Sequence, residues 1–148
     1  MSRFLLAISL IAGAVAIHSA AAVAASDQEP RYDPNTVIST TVVVQTVRDV
    51  EHPNALPGRH VVVKTEKQQN YDVYLAPLEY LKDFDLKLNR GDEIHIIGSR
   101  VKSSGMDIIL AREVRTGDTT IYLRDDAGQP YWTEKTSSTQ VAPPSTGF

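Results

Sequence analysis

Beyond its first 25 residues the chain carries three histidines, His52, His60 and His95, and Glu51 and Glu93 lie beside them in sequence. Imidazole and carboxylate are the ligand types that zinc and copper accept. The spacing argues against such a site. No H-x-H or H-x-x-x-H pair brings two imidazoles to one face, so the histidines are read as strand and loop residues, and no metal is expected. Ser39, Ser99, Ser103 and Ser104 are available as nucleophiles, but none stands in a G-x-S-x-G elbow. The carboxylate pairs Asp125-Asp126 and Asp83/Asp85 fall in turns or on a helical surface, where solvation accounts for them. A general acid and base would need a pocket that shifts their pKa values. The residue types therefore predict a chain that binds rather than catalyses, with no cofactor.

The candidates for binding depend on the elements that carry them. Thr36–Glu51 is almost wholly β-branched or polar and lacks glycine and proline, which predicts one long strand. Val42-Val43-Val44 breaks its alternation, as at a bend or where both faces are covered. The loop His52–Gly58 follows. Arg59–Glu66 then alternates, with Val61, Val63 and Thr65 on one side and His60, Val62 and Lys64 on the other. Tyr71–Ala76 does the same, with Tyr71, Val73 and Leu75 opposed to Asp72 and Tyr74. These two strands form a hairpin whose second face is expected to point outward.

Pro77–Leu88 changes period, with Leu78, Leu81, Phe84 or Asp85, and Leu88 three to four residues apart, which predicts a short helix or helical turn. The stretch Gly91–Val114 is a second hairpin turning at Lys102-Ser103-Ser104-Gly105. Ile94, Ile96 and Gly98 share one face of its first strand. In its second strand Met106, Ile108 and Leu110 lie opposite Ile109 and Ala111, so both faces should be covered. Thr119–Arg124 is a short strand, Gly128 suits a positive φ in the following turn, and Tyr131-Trp132 is the expected return strand.

Five strands with a helix between the third and fourth predict an all-β chain with a small inserted helix: an OB-fold-like Greek-key barrel of five strands with an appended C-terminal β-hairpin. A β-sandwich is the alternative. A barrel this small is filled by its own side chains, which leaves its outside for binding. In OB-folds that surface is the face of strands two and three with the flanking loops. Here it predicts Arg59, His60, Val62, Lys64, Asp72, Tyr74 and Lys102 as the partner-binding set. Tyr122, Arg124, Tyr131 and Trp132 form a second candidate interface, aromatics with an arginine being favoured in such places; the alternative is that Tyr131 and Trp132 fold back to cap the barrel.

The sequence has 148 residues, no cysteine and a net charge of −3. Arg3, an apolar run from Phe4 to about Ile17 and small residues before Ser26 have the layout of a secretory signal peptide, so residues 1–25 are expected to be cleaved. That removes one base, leaving 14 basic and 18 acidic residues, a charge of −4, and no stable membrane span is expected afterwards. The domain organisation read from this is signal peptide 1–25, flexible lead-in 26–35, barrel with hairpin 36–132 and a Ser/Thr/Pro-rich disordered tail 133–148. Without cysteine there is no disulfide scaffold, thiolate site or C-x-x-C-H haem attachment. The acidic balance makes nucleic acid an unlooked-for partner.

The run Gly91–Trp132, with GDEIHIIGSRV, ILAREV and LRDDAGQPYW, resembles small exported bacterial OB-fold proteins whose domain is similar to that of magnetosome proteins S and X. Tyr32-Asp33-Pro34 extends the resemblance over most of the mature chain. More distantly it is similar to periplasmic OB-fold proteins linked to stress tolerance. The resemblance implies the domain but no specific activity, and without C-x-x-C-H it gives no support for a haem-borne redox role.

The combined expectation is a periplasmic or secreted, non-catalytic binding or assembly module that captures a protein, peptide or glycan of the cell envelope. A metal-binding or redox accessory protein and a nucleic-acid-binding OB domain are the alternative readings.

Overall fold

The computed structural model describes residues 29–51 and 56–134. The expected signal peptide, the loop residue His52 and all but the first two residues of the expected tail lie outside that range.

Six strands carry the fold: β1 (Val37–Val50), β2 (Gly58–Thr65), β3 (Asn70–Tyr74), β4 (Glu93–Ser103), β5 (Met106–Thr116) and β6 (Thr119–Tyr122). The first five close on themselves. β1 pairs with β2, β2 with β3, β4 with β5 and β1 with β4, all antiparallel, while β3 pairs with β5 in parallel and completes the ring. β6 lies outside the ring on the second half of β5. This is a closed five-stranded mixed β-barrel with one strand outside it, the all-β barrel class expected from the element order. Its interior is built from Val42, Val44, Val61, Val63, Val73, Leu75, Ile94, Ile96, Ile109, Ala111 and Val114. β-branched residues dominate because a twisted strand packs them well on a half-buried face.

β1 closes the ring by serving two neighbours. Val37–Val43 pair with β4 and Val42–Val50 with β2, and the register slips between Val44 and Thr46. The extra residue, Gln45, reverses the inside–outside parity of the rest of the strand. Before it Val42 and Val44 face inward; after it Val47 does, and Arg48 turns outward. This is the physical content of the broken Val42-Val43-Val44 alternation. β5 has its own slip opposite Ile97 and Gly98, with Arg112 as the extra residue, so that Ala111 and Val114 both reach the core.

The segment between β3 and β4 closes one end. α1 (Leu78–Leu81) is a single helical turn rather than a helix through Leu88, and no side chain caps its start. So short a helix does not sustain itself by backbone bonding. It is held because Tyr80, Leu81 and Leu86 are buried and Phe84 and Leu88 pack on the core.

The appended hairpin is shorter than expected. β6 is present, but its return limb is one bridge, Arg124 to Pro130, and Tyr131–Glu134 form a helical turn, α2, instead of a strand. Residues 32–36, read in the sequence as the end of a lead-in and the start of β1, are fastened to the barrel. Asp33 N donates to Ser99 Oγ at 2.9 Å, and Thr36 Oγ1 bonds the same hydroxyl at 2.9 Å. Among the described residues, no helix is long and apolar enough to cross a membrane.

Candidate functional site

Cross-strand pairing lays the outer face of β1, β2, β3 and β5 out in rows. Arg48 is opposite His60, His60 opposite Tyr74, and Tyr74 opposite Leu110. The next row runs Thr46, Val62, Asp72 and Ile108. Side chains within a row are direct neighbours. The parity expected for β2 and β3 therefore holds, but the exposure does not. Val62, Lys64 and Asp72 are half-buried, while His60 and Tyr74 are only 8% and 3% exposed. The expectation that those two lie open is corrected, and the cause is a cover. Tyr32, Leu56 and Trp132 pack on Tyr74, Ile108 and Leu110 as a small second core outside the barrel.

At the open side of that cover, three strands contribute a charged group each. His60 Nδ1 is 3.2 Å from both carboxylate oxygens of Asp72, and its Nε2 is 2.7 Å from the Leu56 carbonyl. Arg48 Nη2 donates to Asp72 Oδ2 at 3.0 Å. Burial alone lowers the His60 pKa, but the bonds to Asp72 and Leu56 outweigh it and leave it raised above the ordinary histidine value. Arg48 is not among the residues that the sequence singles out. Unbroken alternation from Val42 and Val44 sends it inward; only the Gln45 bulge brings it to this face.

The two bases expected at the margins are both engaged. Arg59 makes a two-pronged bond to Asp49, 2.8 and 2.9 Å, which lowers the Asp49 pKa. Lys102, at the tip of the β4–β5 hairpin, pairs with Asp107 at 2.8 Å. Lys64 lies at the edge of a shallow recess of about 230 Å³, shared with Thr41, Val43, Gln45, Glu66, Gln68 and Glu93.

The second candidate set divides. Arg124 is 6% exposed, its guanidinium 5.6 Å from the ring centre of Tyr74 and 4.7 Å from that of Trp132. Its Nη1 donates to the Ala111 carbonyl and, at 3.5 Å, to the Leu75 carbonyl. No ion pair to it forms among the described residues. Burial draws its pKa down to about 10, and burial raises that of Tyr74 to about 12; the Tyr74 hydroxyl donates to the Pro57 carbonyl at 3.0 Å. Arg124 and Trp132 thus cap the outer face. Tyr122 and Tyr131 remain outside, 55% and 37% exposed. Gly128, at φ 89°, lies against the Tyr32 ring so closely that a Cβ there would be 2.2 Å from ring carbon Cδ1. Only glycine fits both the backbone and the space.

His95 stands apart on β4, hydrogen-bonded to Ser39 Oγ at 2.9 Å and Thr41 Oγ1 at 3.2 Å. The serine distance suits a nucleophile and its base, but the second ring nitrogen meets a hydroxyl where a carboxylate would be needed to orient and charge the ring. Among the described residues, no three His, Asp or Glu side chains converge on a point. Asp126 pairs with Arg112, Asp85 with Lys87, and Asp125 accepts from the Gln129 amide in its own turn. The arrangement can grip a partner through charge and hydrogen bonds on a strand surface.

No curated protein and no solved structure matches the chain. A family model does, over residues 36–121, which is the barrel with β6 up to Ile121 and stops short of the Leu123–Trp132 cap. That match takes in more than half of the chain, and the chain belongs to the MamS/MamX magnetosome protein family.

Proposed function

We propose that this domain is an exported, non-catalytic binding or assembly module, associated with magnetosomes as its family's description suggests, that captures a protein, peptide or glycan of the cell envelope. The partner lies on the outer face of β1, β2 and β3, across Arg48, Val62, Lys64 and Asp72. What carries the reading is the division of that face. One end is sealed by the chain's own Trp132 and Tyr32, while Val62, Lys64 and Asp72 stay half-exposed and Arg48 keeps 51% of its side chain in solvent. The hydrogen-bonded rows present charged and apolar groups side by side at the fixed spacing of paired strands, which favours recognition over reaction.

The exposed residues define the test. Affinity capture from an exported fraction with the Arg48→Ala/Lys64→Ala double variant should lose the partner at least tenfold while the melting temperature stays within a few degrees, since exposed-charge substitutions cost little stability. Capture equal to wild type contradicts the assignment of this face. Tyr74→Ala is unsuitable as a probe because Tyr74 is buried in the outer cluster and its loss would disturb folding. A metal-binding accessory role is separated by elemental analysis of untagged protein: a stoichiometric metal, with a matching rise in melting temperature, would favour it over the proposal.

A further inference from the structure

The outer face carries a group whose surroundings fix its protonation state. The two ring nitrogens of His60 both meet acceptors. Nδ1 faces the Asp72 carboxylate and Nε2 faces the backbone carbonyl of Leu56. An ionised carboxylate and a carbonyl can only accept, and a neutral imidazole has one N–H to give. Both contacts are satisfied together only by the imidazolium.

The contacts also join two different parts of the chain. Asp72 belongs to β3, inside the barrel wall, whereas Leu56 belongs to the segment entering β2. The next residue, Pro57, has its carbonyl held by the Tyr74 hydroxyl at 3.0 Å, and the His60 and Tyr74 rings are 5.2 Å apart. Two successive carbonyls are therefore pinned to the outer face by two adjacent side chains. The charged groups facing His60 are Asp72 from β3 and Arg48 from β1. Tyr74 is the other titratable neighbour, and on the flanking register pair Arg59 is tied to Asp49. Asp72 favours the imidazolium and Arg48 opposes it more weakly.

We propose that His60 is a proton-operated latch, holding the Leu56–Pro57 segment over the apolar end of the binding face when charged and releasing it when neutral. On losing its proton the ring keeps one donor. The remaining proton stays on Nδ1, where the acceptor is a carboxylate and the bond is charge-assisted, so the Leu56 carbonyl loses its donor and Tyr74 is left, among the described residues, as the one side-chain donor to that segment. The sign follows from the raised pKa. The latch is complete below the ordinary histidine value of about 6.5 and is lost as pH rises through the higher folded-state value. The consequence is a face whose cover loosens as its surroundings become less acidic, whatever partner it takes.

The test is a pH titration of the full domain by NMR. His60 should titrate above about 6.5, with both ring nitrogens protonated below its midpoint. The carbonyl ¹³C shift of Leu56 should move with the same midpoint. Opening at the Gly58 amide, corrected for intrinsic exchange, should rise roughly tenfold across it, as expected for losing one hydrogen bond to a charged group. Asp72→Asn should lower the His60 midpoint and carry the Leu56 transition down with it. A His60 midpoint at or below about 6.5, or a Leu56 carbonyl that ignores the His60 titration, overturns the latch. The wild-type titration decides the matter even if the variant fails to fold.

Discussion

Arg124→Ala is expected to destabilise the domain by about 3 kcal/mol, one of the largest effects available outside the barrel core. The guanidinium packs against both the Tyr74 and Trp132 rings, which meet each other edge to face, and donates to carbonyls of Leu75, just after β3, and Ala111 in β5. Its burial is costly, as its lowered pKa records, and that cost is relieved on deletion. Three losses exceed the relief. The ring faces lose a desolvated cation worth about 2 kcal/mol, the carbonyls lose their shared donor at about 1 kcal/mol or more, and the aliphatic stem leaves a gap. Arg124→Lys should recover little, because a compact ammonium on a flexible stem cannot contact both rings and reach the carbonyls as well. Trp132 is the chain's single tryptophan, so urea unfolding followed by its fluorescence reads this site directly. A loss below about 1 kcal/mol for Arg124→Ala would show that the cap adds nothing to the fold.

Gly98→Ala is expected to cost about 3 kcal/mol, the upper end for overpacking. The reason is space, not backbone conformation. A Cβ at this position would be 2.5 Å from the Leu110 carbonyl oxygen, 2.8 Å from the Ile109 Cγ2 and 3.0 Å from the Ala111 Cα. Two of these are backbone atoms of β5, so no rotamer change relieves the contact. The strand pair must separate where β5 is already distorted by its Arg112 bulge, and the β3–β5 pairing that closes the ring lies beside it. Calorimetry should show a melting temperature lower by more than ten degrees for a domain of this size. A near-neutral result would mean that the barrel closes more loosely there than its geometry indicates.

Strand parity was legible in the sequence wherever alternation was unbroken. Val61, Val63, Val73, Ile94, Ile96 and Ile109 all face inward as their spacing requires, and the double-sided burial of β5 follows from Ile108 and Leu110 standing opposite Ile109 and Ala111. A bulge defeats this reasoning, because one inserted residue reverses every later side chain; Arg48 was hidden in that way. The cover over His60 and Tyr74 was hidden for another reason. It is assembled from Tyr32, Leu56, Arg124 and Trp132, residues far apart in the chain that the folded barrel brings together. Periodicity reports which side a residue faces, and tertiary contacts decide whether that side is wet. Similarly, Tyr131 and Trp132 have strand-forming side chains, yet they lie in a helical turn in which Trp132 packs on Arg124 and Tyr80.

The claim that the outer face of β1, β2 and β3 receives the partner is tested most directly by a photo-crosslinking side chain placed at Val62, between Thr46 and Asp72 in its row, with Thr120 on β6 as the comparison position. The expected result is that the Val62 protein, expressed in its native host and illuminated, yields one discrete adduct in the exported fraction, identified by mass spectrometry and absent when Arg48 and Lys64 are both alanine. An adduct that forms equally from Thr120, or one from Val62 that persists in the double variant, would contradict it.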